Sequence, residues 1–298
     1  MLGNPLTKRS GKSNLKARAG VGLFICTAFT IQCHHASTRV EAPREPVSVE
    51  LVSTAAVLTD VVDRNEALAR RDPLGFLQKC WERQQREVRG YHCRFWKQEY
   101  LNGEVTPEQT AEVRVLQQPF SVDMTFTHNI GDCKRALYVE GAWKDDEGNE
   151  LAWAKPAGAI IKAFIPKIQQ PIHGSRAQKA SRRTIDQFGF DKSFELIMKY
   201  SLKAKARGEL SLKYVGRGAV EGRPTYVFER RLPYTGEELP YPDNLLIVHI
   251  DQEYLVPTAC HSYADSEGQE LLGSYVYTDI SLNPGYTPDD FDPEKINF

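Results

Sequence analysis

Residues 245–280 read LLIVHIDQEYLVPTACHSYADSEGQELLGSYVYTDI. Three runs rich in β-branched and aromatic residues, Leu245 to Asp251, Val256 to Tyr263 and Glu270 to Ile280, are joined by the turn-forming stretches Asp251-Gln252-Glu253 and Asp265-Ser266-Glu267-Gly268. Strand-forming runs separated by short Asp/Gly turns predict an antiparallel meander.

The same rhythm recurs upstream. Tyr91 to Leu101 is aromatic-rich and ends in Asn102-Gly103, a two-residue hairpin turn, after which Ala111 to Leu116 returns. Beyond Pro119, the residues Phe120, Val122, Met124 and Phe126 alternate with Ser121, Asp123, Thr125 and Thr127. A period of two predicts a strand with one apolar and one wet face. Further strands are expected at Arg135 to Glu140, Glu150 to Ala154, Glu209 to Val215 and Thr225 to Arg231. The total is roughly nine to eleven antiparallel strands with two or three helices, an α+β fold that is mainly β.

The clearest helix starts at Asp72-Pro73, an N-cap followed by proline in the first turn. It carries Leu74, Leu77, Trp81 and Val88 mostly on one face and stops at Gly90. Between 156 and 207 the character changes to Ile160, Ile161, Phe164 and Ile165, then Phe194, Ile197 and Met198, with basic residues between them. This reads as a helical insertion, its last helix capped by Asp191 or Ser193 and ended by Gly208.

The first eighteen residues hold Lys8, Arg9, Lys12, Lys16 and Arg18 and no acid, and they lead into the apolar run Ala19 to Ile31. That run is about thirteen residues, short of the roughly twenty a membrane-spanning helix needs, so residues 1–36 read as a cleaved signal peptide. Cys33 at the end of the run is the residue that a lipoprotein signal would modify, which makes lipidation there the rival reading. Residues 37–60 then form a flexible lead-in and 61–298 a single domain. The expected localisation is the periplasm or cell envelope, with membrane association only through the signal or a lipid anchor.

Of 298 residues, 38 are basic and 39 acidic, a net charge of -1. Such a balance creates no field that would gather nucleic acid, so no nucleic-acid partner is expected. Cys80, Cys93, Cys133 and Cys260 remain after processing, an even set that can pair in three ways in an oxidising compartment or stay as small buried hydrophobes.

Signatures of chemistry are scarce. Gly216 to Gly222 lacks dinucleotide-fingerprint spacing and reads as a turn. His92, His249 and His261, the latter beside Cys260, lie in strand patterns where neighbouring residues face opposite ways, so they read as ordinary strand residues and not as metal ligands. Glu99, Glu112 and Asp123 on neighbouring strands are the acidic residues that a glycosidase pair would draw on, but solvated faces explain them. The basic set Arg176, Lys179, Arg182 and Arg183, flanked by Phe188 and Phe190, reads as a solvated helix face, with contact to lipid headgroups or a polypeptide carboxylate as the functional alternative. No catalytic residue, metal or cofactor is assigned.

Tyr91-His-Cys-Arg-Phe-Trp-Lys-Gln-Glu99, Pro119-Phe-Ser-Val-Asp-Met124, Val220-Glu-Gly-Arg-Pro224, Leu255-Val-Pro257 and Tyr275-Val-Tyr-Thr-Asp-Ile280, with Asn283 and Phe291-Asp292, resemble a secreted bacterial family, domain of unknown function 1571. A weaker similarity is to LolA-like lipoprotein carriers. That resemblance implies a strongly curved open sheet, a half-barrel wrapped over helices, whose apolar concavity holds acyl chains. From the strand pattern itself, Val122, Met124, Phe126, Phe228 and Val248 are the expected ligand-lining residues of such a hollow, with ordinary core beneath the helices as the alternative. The expected function is non-enzymatic binding of a lipid, lipoprotein or other apolar ligand. Binding of a protein partner as an envelope sensor or adaptor is the first alternative, and hydrolysis of an envelope polymer the second.

Overall fold

The computed structural model of the chain describes residues 54–158, 166–236 and 240–298. The predicted signal peptide, Cys33, most of the lead-in, and Ile160, Ile161, Phe164 and Ile165 lie outside the described residues.

Two helices come first, α1 (Thr54–Arg71) and α2 (Pro73–Glu87). The strands β1 (Gly90–Leu101), β2 (Glu104–Val105), β3 (Gln109–Gln117), β4 (Phe120–His128), β5 (Cys133–Val139), β6 (Leu151–Pro156) and β7 (Ile168–Pro171) follow. After the short helix α3 (Ser175–Ala180) and the longer α4 (Phe190–Arg207) come β8 (Ser211–Val220), β9 (Arg223–Arg231), β10 (Leu245–Asp251), β11 (Pro257–Tyr263) and β12 (Leu271–Leu282). The strands form one 12-stranded sheet in the order β7-β6-β5-β4-β3-β1-β12-β11-β10-β9-β8, with β2 paired to β1. Every described pairing is antiparallel, and β7 and β8 are its two edges, so the sheet is open. The expected α+β, mainly antiparallel class is the observed one.

Local chemistry explains most boundaries. Asp72 Oδ1 accepts a hydrogen bond from Gly75 N at 3.0 Å, with Pro73 in the first turn of α2. We expect Asp72→Ala to lower stability by about 1 kcal/mol, measured by urea unfolding. Asn102 and Gly103 have φ of 55° and 91°, the two positive values that a tight hairpin requires. In the meander, Asp251 Oδ1 accepts from the N–H groups of Glu253 and Tyr254, and Asp265 from those of Glu267, Gln269 and Glu270. These aspartates supply the turn hydrogen bonds that the backbone alone leaves unmade.

The structure departs from the sequence reading in several places. Helix α1, which no pattern announced, reaches back to Thr54 and packs on α2 and β8. The stretch 156–207 is not wholly helical: β7 and an irregular segment precede α4, which starts after Gly189 at φ 99° with no side-chain cap from Asp191 or Ser193. Instead Asp191 accepts a 2.7 Å hydrogen bond from Trp81 Nε1, tying α4 to α2. Gly216 and Gly218 lie within strand β8, and only Glu221-Gly222 forms the turn.

Strand β4 also corrects the expectation of a wet face. Ser121 and Asp123 are buried, because residues 286–298 fold across them. Tyr286, Phe291, Ile296 and Phe298 pack with Leu116, Leu137 and Trp153 in a small core on that side. Asp123 is clamped there by Arg114 and Arg135, whose guanidinium groups lie under the rings of Phe291 and Phe298. A carboxylate with two hydrogen-bonded arginines can be buried where a lone one cannot.

The other face of the sheet carries two large cores. One lies under the helices: Phe76, Leu77 and Cys80 of α2 and Phe194, Ile197 and Met198 of α4 meet Tyr226, Phe228, Leu246, Val248 and Ile250. The second lies over β1, β3, β4, β5 and β12 and is covered differently.

Candidate functional site

On β1 the residues Tyr91, Cys93, Phe95, Lys97 and Glu99 alternate onto one face, and cross-strand pairing sets Phe95 beside Ala111 and Tyr277, and Cys93 beside Val113. Register carries the row on through Val113 to Met124 and Val115 to Val122. The result is an apolar basin across adjoining strands, the second core. Its buried members off the sheet are Val88 and Val256 and, from residues 172–190, Ile172, Phe188 and Phe190, with Ile185 packed against them. No residue of α1 or α2 belongs to it. Phe188 inserts its ring edge-on to Phe95 at 4.9 Å and packs on Tyr277 at 5.7 Å, filling the centre.

The segment over the basin is pinned at one point by a buried polar cluster. Glu99, 1% exposed, accepts hydrogen bonds from Lys97 Nζ at 2.9 Å, Tyr275 OH at 2.8 Å, Arg182 N at 3.1 Å and Ser181 Oγ at 3.0 Å. Lys97 Nζ also donates to Ser181 Oγ at 3.0 Å, and Arg182 reaches on to Ser262 Oγ at 3.1 Å and to the carbonyl of Pro242. Burial, and secondarily the charge of Glu99, holds the Tyr275 phenol far above its ordinary pKa, so it stays a donor. At the far side an open cleft of about 390 Å³ is lined by Asn149, Glu150, Pro171, Ile172, His173 and Gly174, and Ile172 is shared with the basin. There Glu150 accepts from Tyr138 OH and from Gly141 N at 3.1 Å, and His173 Nε2 stands 3.5 Å from Asp186. Apolar walls with a few polar groups at the margin are the composition of ligand sites.

The five expected lining residues divide. Val122 and Met124 are buried in the basin and Phe126 is half-buried beside them, whereas Phe228 and Val248 lie under the helices, where Phe228 stacks on Phe76 at 5.4 Å. The acidic trio does not assemble. Glu99 faces the basin, while Glu112 and Asp123 are on the opposite face, each with its own arginine. Arg176 and Lys179 are exposed on the short helix α3, as expected, whereas Arg182 and Arg183 follow it and lie on no helix. All four cysteines are free thiols, with Cys80 and Cys93 in separate cores. His249 and His261 do meet, ring to ring at 6.0 Å, on the side of the sheet away from the helices. The pinning cluster escaped the sequence reading, although one signal was present: Lys97 and Glu99 continue the inward-facing alternation of Tyr91, Cys93 and Phe95, placing charge on a core face.

The model of a family described as protein of unknown function (DUF1571) matches residues 88–298. No curated protein matches. Among solved structures, a DUF1329 family protein from Desulfovibrio piger is similar at 12% identity and TM-score 0.37, with 75% of this chain and 98% of that chain covered. A putative outer membrane lipoprotein-sorting protein domain from Vibrio parahaemolyticus gives 12% and 0.36, covering 74% and 98%. The Pseudomonas aeruginosa MucA/MucB complex gives 13% and 0.41 over 74% of this chain, which spans 60% of that one.

Proposed function

Because this chain belongs to the DUF1571 family, which brings no assigned activity with it, we propose from its own geometry that it is an exported, non-enzymatic binding protein for a linear apolar ligand. The acyl chain of a lipid or lipoprotein is the ligand class that fits. It would lie on the basin of β1, β3, β4 and β12 once residues 172–190 lift, with Val122, Met124 and Phe126 as its floor. The observation that carries this reading is the cover of that basin: a segment of loop and short helical turns that plugs it with Phe188 and Ile185, where the neighbouring core has the long helices α2 and α4. Irregular segments with few buried apolar anchors open at lower free energy than helix layers do. Export through residues 1–36, or anchoring through Cys33, would deliver the protein to the cell envelope, where such ligands are found.

Phe188→Ala tests it. Removing the plug ring is expected to lower stability by about 3–5 kcal/mol. It is also expected to raise affinity for a fluorescent fatty acid, because the ligand no longer has to displace the ring. Mass spectrometry of organic extracts from protein purified out of the envelope is expected to find bound lipid. Lipid-free extracts together with no probe binding by either the parent or the variant would sink the proposal, and a protein retained in crosslinks after lipid is stripped would favour the adaptor reading.

A further inference from the structure

On the sheet face away from the helices, five adjacent strands each contribute one residue to a single small site. His249 of β10 and His261 of β11 are diagonal neighbours, since His249 pairs with Ala259 and His261 with Ile247. Their ring centroids are 6.0 Å apart with planes at 88°. His249 Nδ1 lies 3.0 Å from Thr225 Oγ1 on β9, and His261 Nδ1 lies 2.8 Å from Ser274 Oγ on β12. The two hydroxyls therefore stand on the outer flanks of the pair. Each Nδ1 is thereby engaged, and neither Nε2 has a hydrogen bond among the described residues. On β8, Gly218 completes the frame: a Cβ there would stand 2.8 Å from Val227 Cγ2 and 3.4 Å from both His249 Cε1 and Thr225 Oγ1. Its φ is not among the positive values, so the backbone does not demand glycine. What glycine provides is room, first for Val227 and then for the His249–Thr225 pair.

We propose that His249 and His261 form a two-imidazole site for a divalent transition-metal ion such as Zn²⁺ or Cu²⁺, with Thr225 and Ser274 orienting the ligands. With about 2.1 Å from metal to nitrogen, one shared ion holds two imidazole centroids no more than roughly 6.5 Å apart, a span that the 6.0 Å observed already meets. A metal-bound histidine characteristically has its second nitrogen donating to a fixed acceptor, which selects the tautomer and the ring orientation. Both hydroxyls are placed for that role. Nearby carboxylates are engaged elsewhere, Glu229 with Lys213 and Arg231 and Asp251 with Arg223. No third His, Cys, Asp or Glu joins the pair among the described residues. The other coordination positions therefore go to water, as in an open site.

Zinc chloride titrated calorimetrically into the chelator-stripped full chain is expected to bind one ion per chain at this site. His249→Gln and His261→Gln should each weaken binding at least about tenfold, and Ser274→Ala or Thr225→Val about tenfold or more while both ligands remain. Cu²⁺ should give an electron paramagnetic resonance spectrum with two coupled imidazole nitrogens, lost in either Gln variant, and circular dichroism verifies that each variant is folded. His173→Gln, in the cleft on the other face, should leave binding unchanged. Absence of one-to-one binding, or binding that survives both His249→Gln and His261→Gln, overturns the assignment.

Discussion

Asp243→Ala is expected to cost about 3–5 kcal/mol of folding stability, the largest effect of any single charge removal in this protein. Arg230 is 2% exposed and bonds both oxygens of Asp243, at 2.9 and 3.1 Å, while its other nitrogen donates to the carbonyl of Ile197 in α4 at 3.2 Å. Removing the carboxylate strands a guanidinium among Cys260, Leu246 and the inner face of α4, where water cannot reach it. The desolvation penalty then has nothing to offset it. The double replacement Arg230→Met with Asp243→Leu should recover most of the loss, because an ion pair in such a place is worth little more than well-packed apolar side chains. Urea unfolding of the three variants checks both statements. An Asp243→Ala protein as stable as the parent would show that the pair is not sealed from solvent.

Glu99→Ala should be nearly as damaging, again about 3–5 kcal/mol, since it leaves Lys97, 8% exposed, without its anion. The damage should be local in character. Four donors converge on this carboxylate, and two of them, Ser181 Oγ and Arg182 N, belong to the segment over the basin. Amide hydrogen exchange of residues 181–188 is therefore expected to accelerate far more than that of Phe228 or Val248 under the helices. Glu99→Gln, which keeps the shape and can still accept from Ser181 and Arg182, should cost less. Exchange rising uniformly over the whole chain would show instead that Glu99 supports the global fold and not this one segment.

Much of the architecture was legible because its causes are local. Strand periodicity over 120–127, the Asn102-Gly103 turn, the Asp72-Pro73 helix start and the aspartate turns of the C-terminal meander all depend on residues a few positions apart, and each stands as read. Helix α1 was not legible: its mixed sequence lacks an apolar stripe strong enough to announce it, and contacts with α2 and β8 support it. The wet face expected for β4 failed for a similar reason. Ser121 and Asp123 look solvated until residues 286–298, more than 150 positions away, close over them. The site residues follow the same division. Val122, Met124 and Phe126 share one sheet face, as their alternation predicts, but neither Ser181 nor Arg182 carries any local mark of its contact with Glu99.

By itself, then, the sequence determined the alternation of strands, the turns between them and the balance of charge. Tertiary structure alone decided which apolar face lies under helices and which under an irregular segment, that Glu99 gathers donors from three separate parts of the chain, and that two histidines from neighbouring strands share one space. The reason is physical: backbone propensity and side-chain periodicity act over a few residues, whereas burial and the meeting of polar groups are settled by contacts between elements tens to hundreds of positions apart.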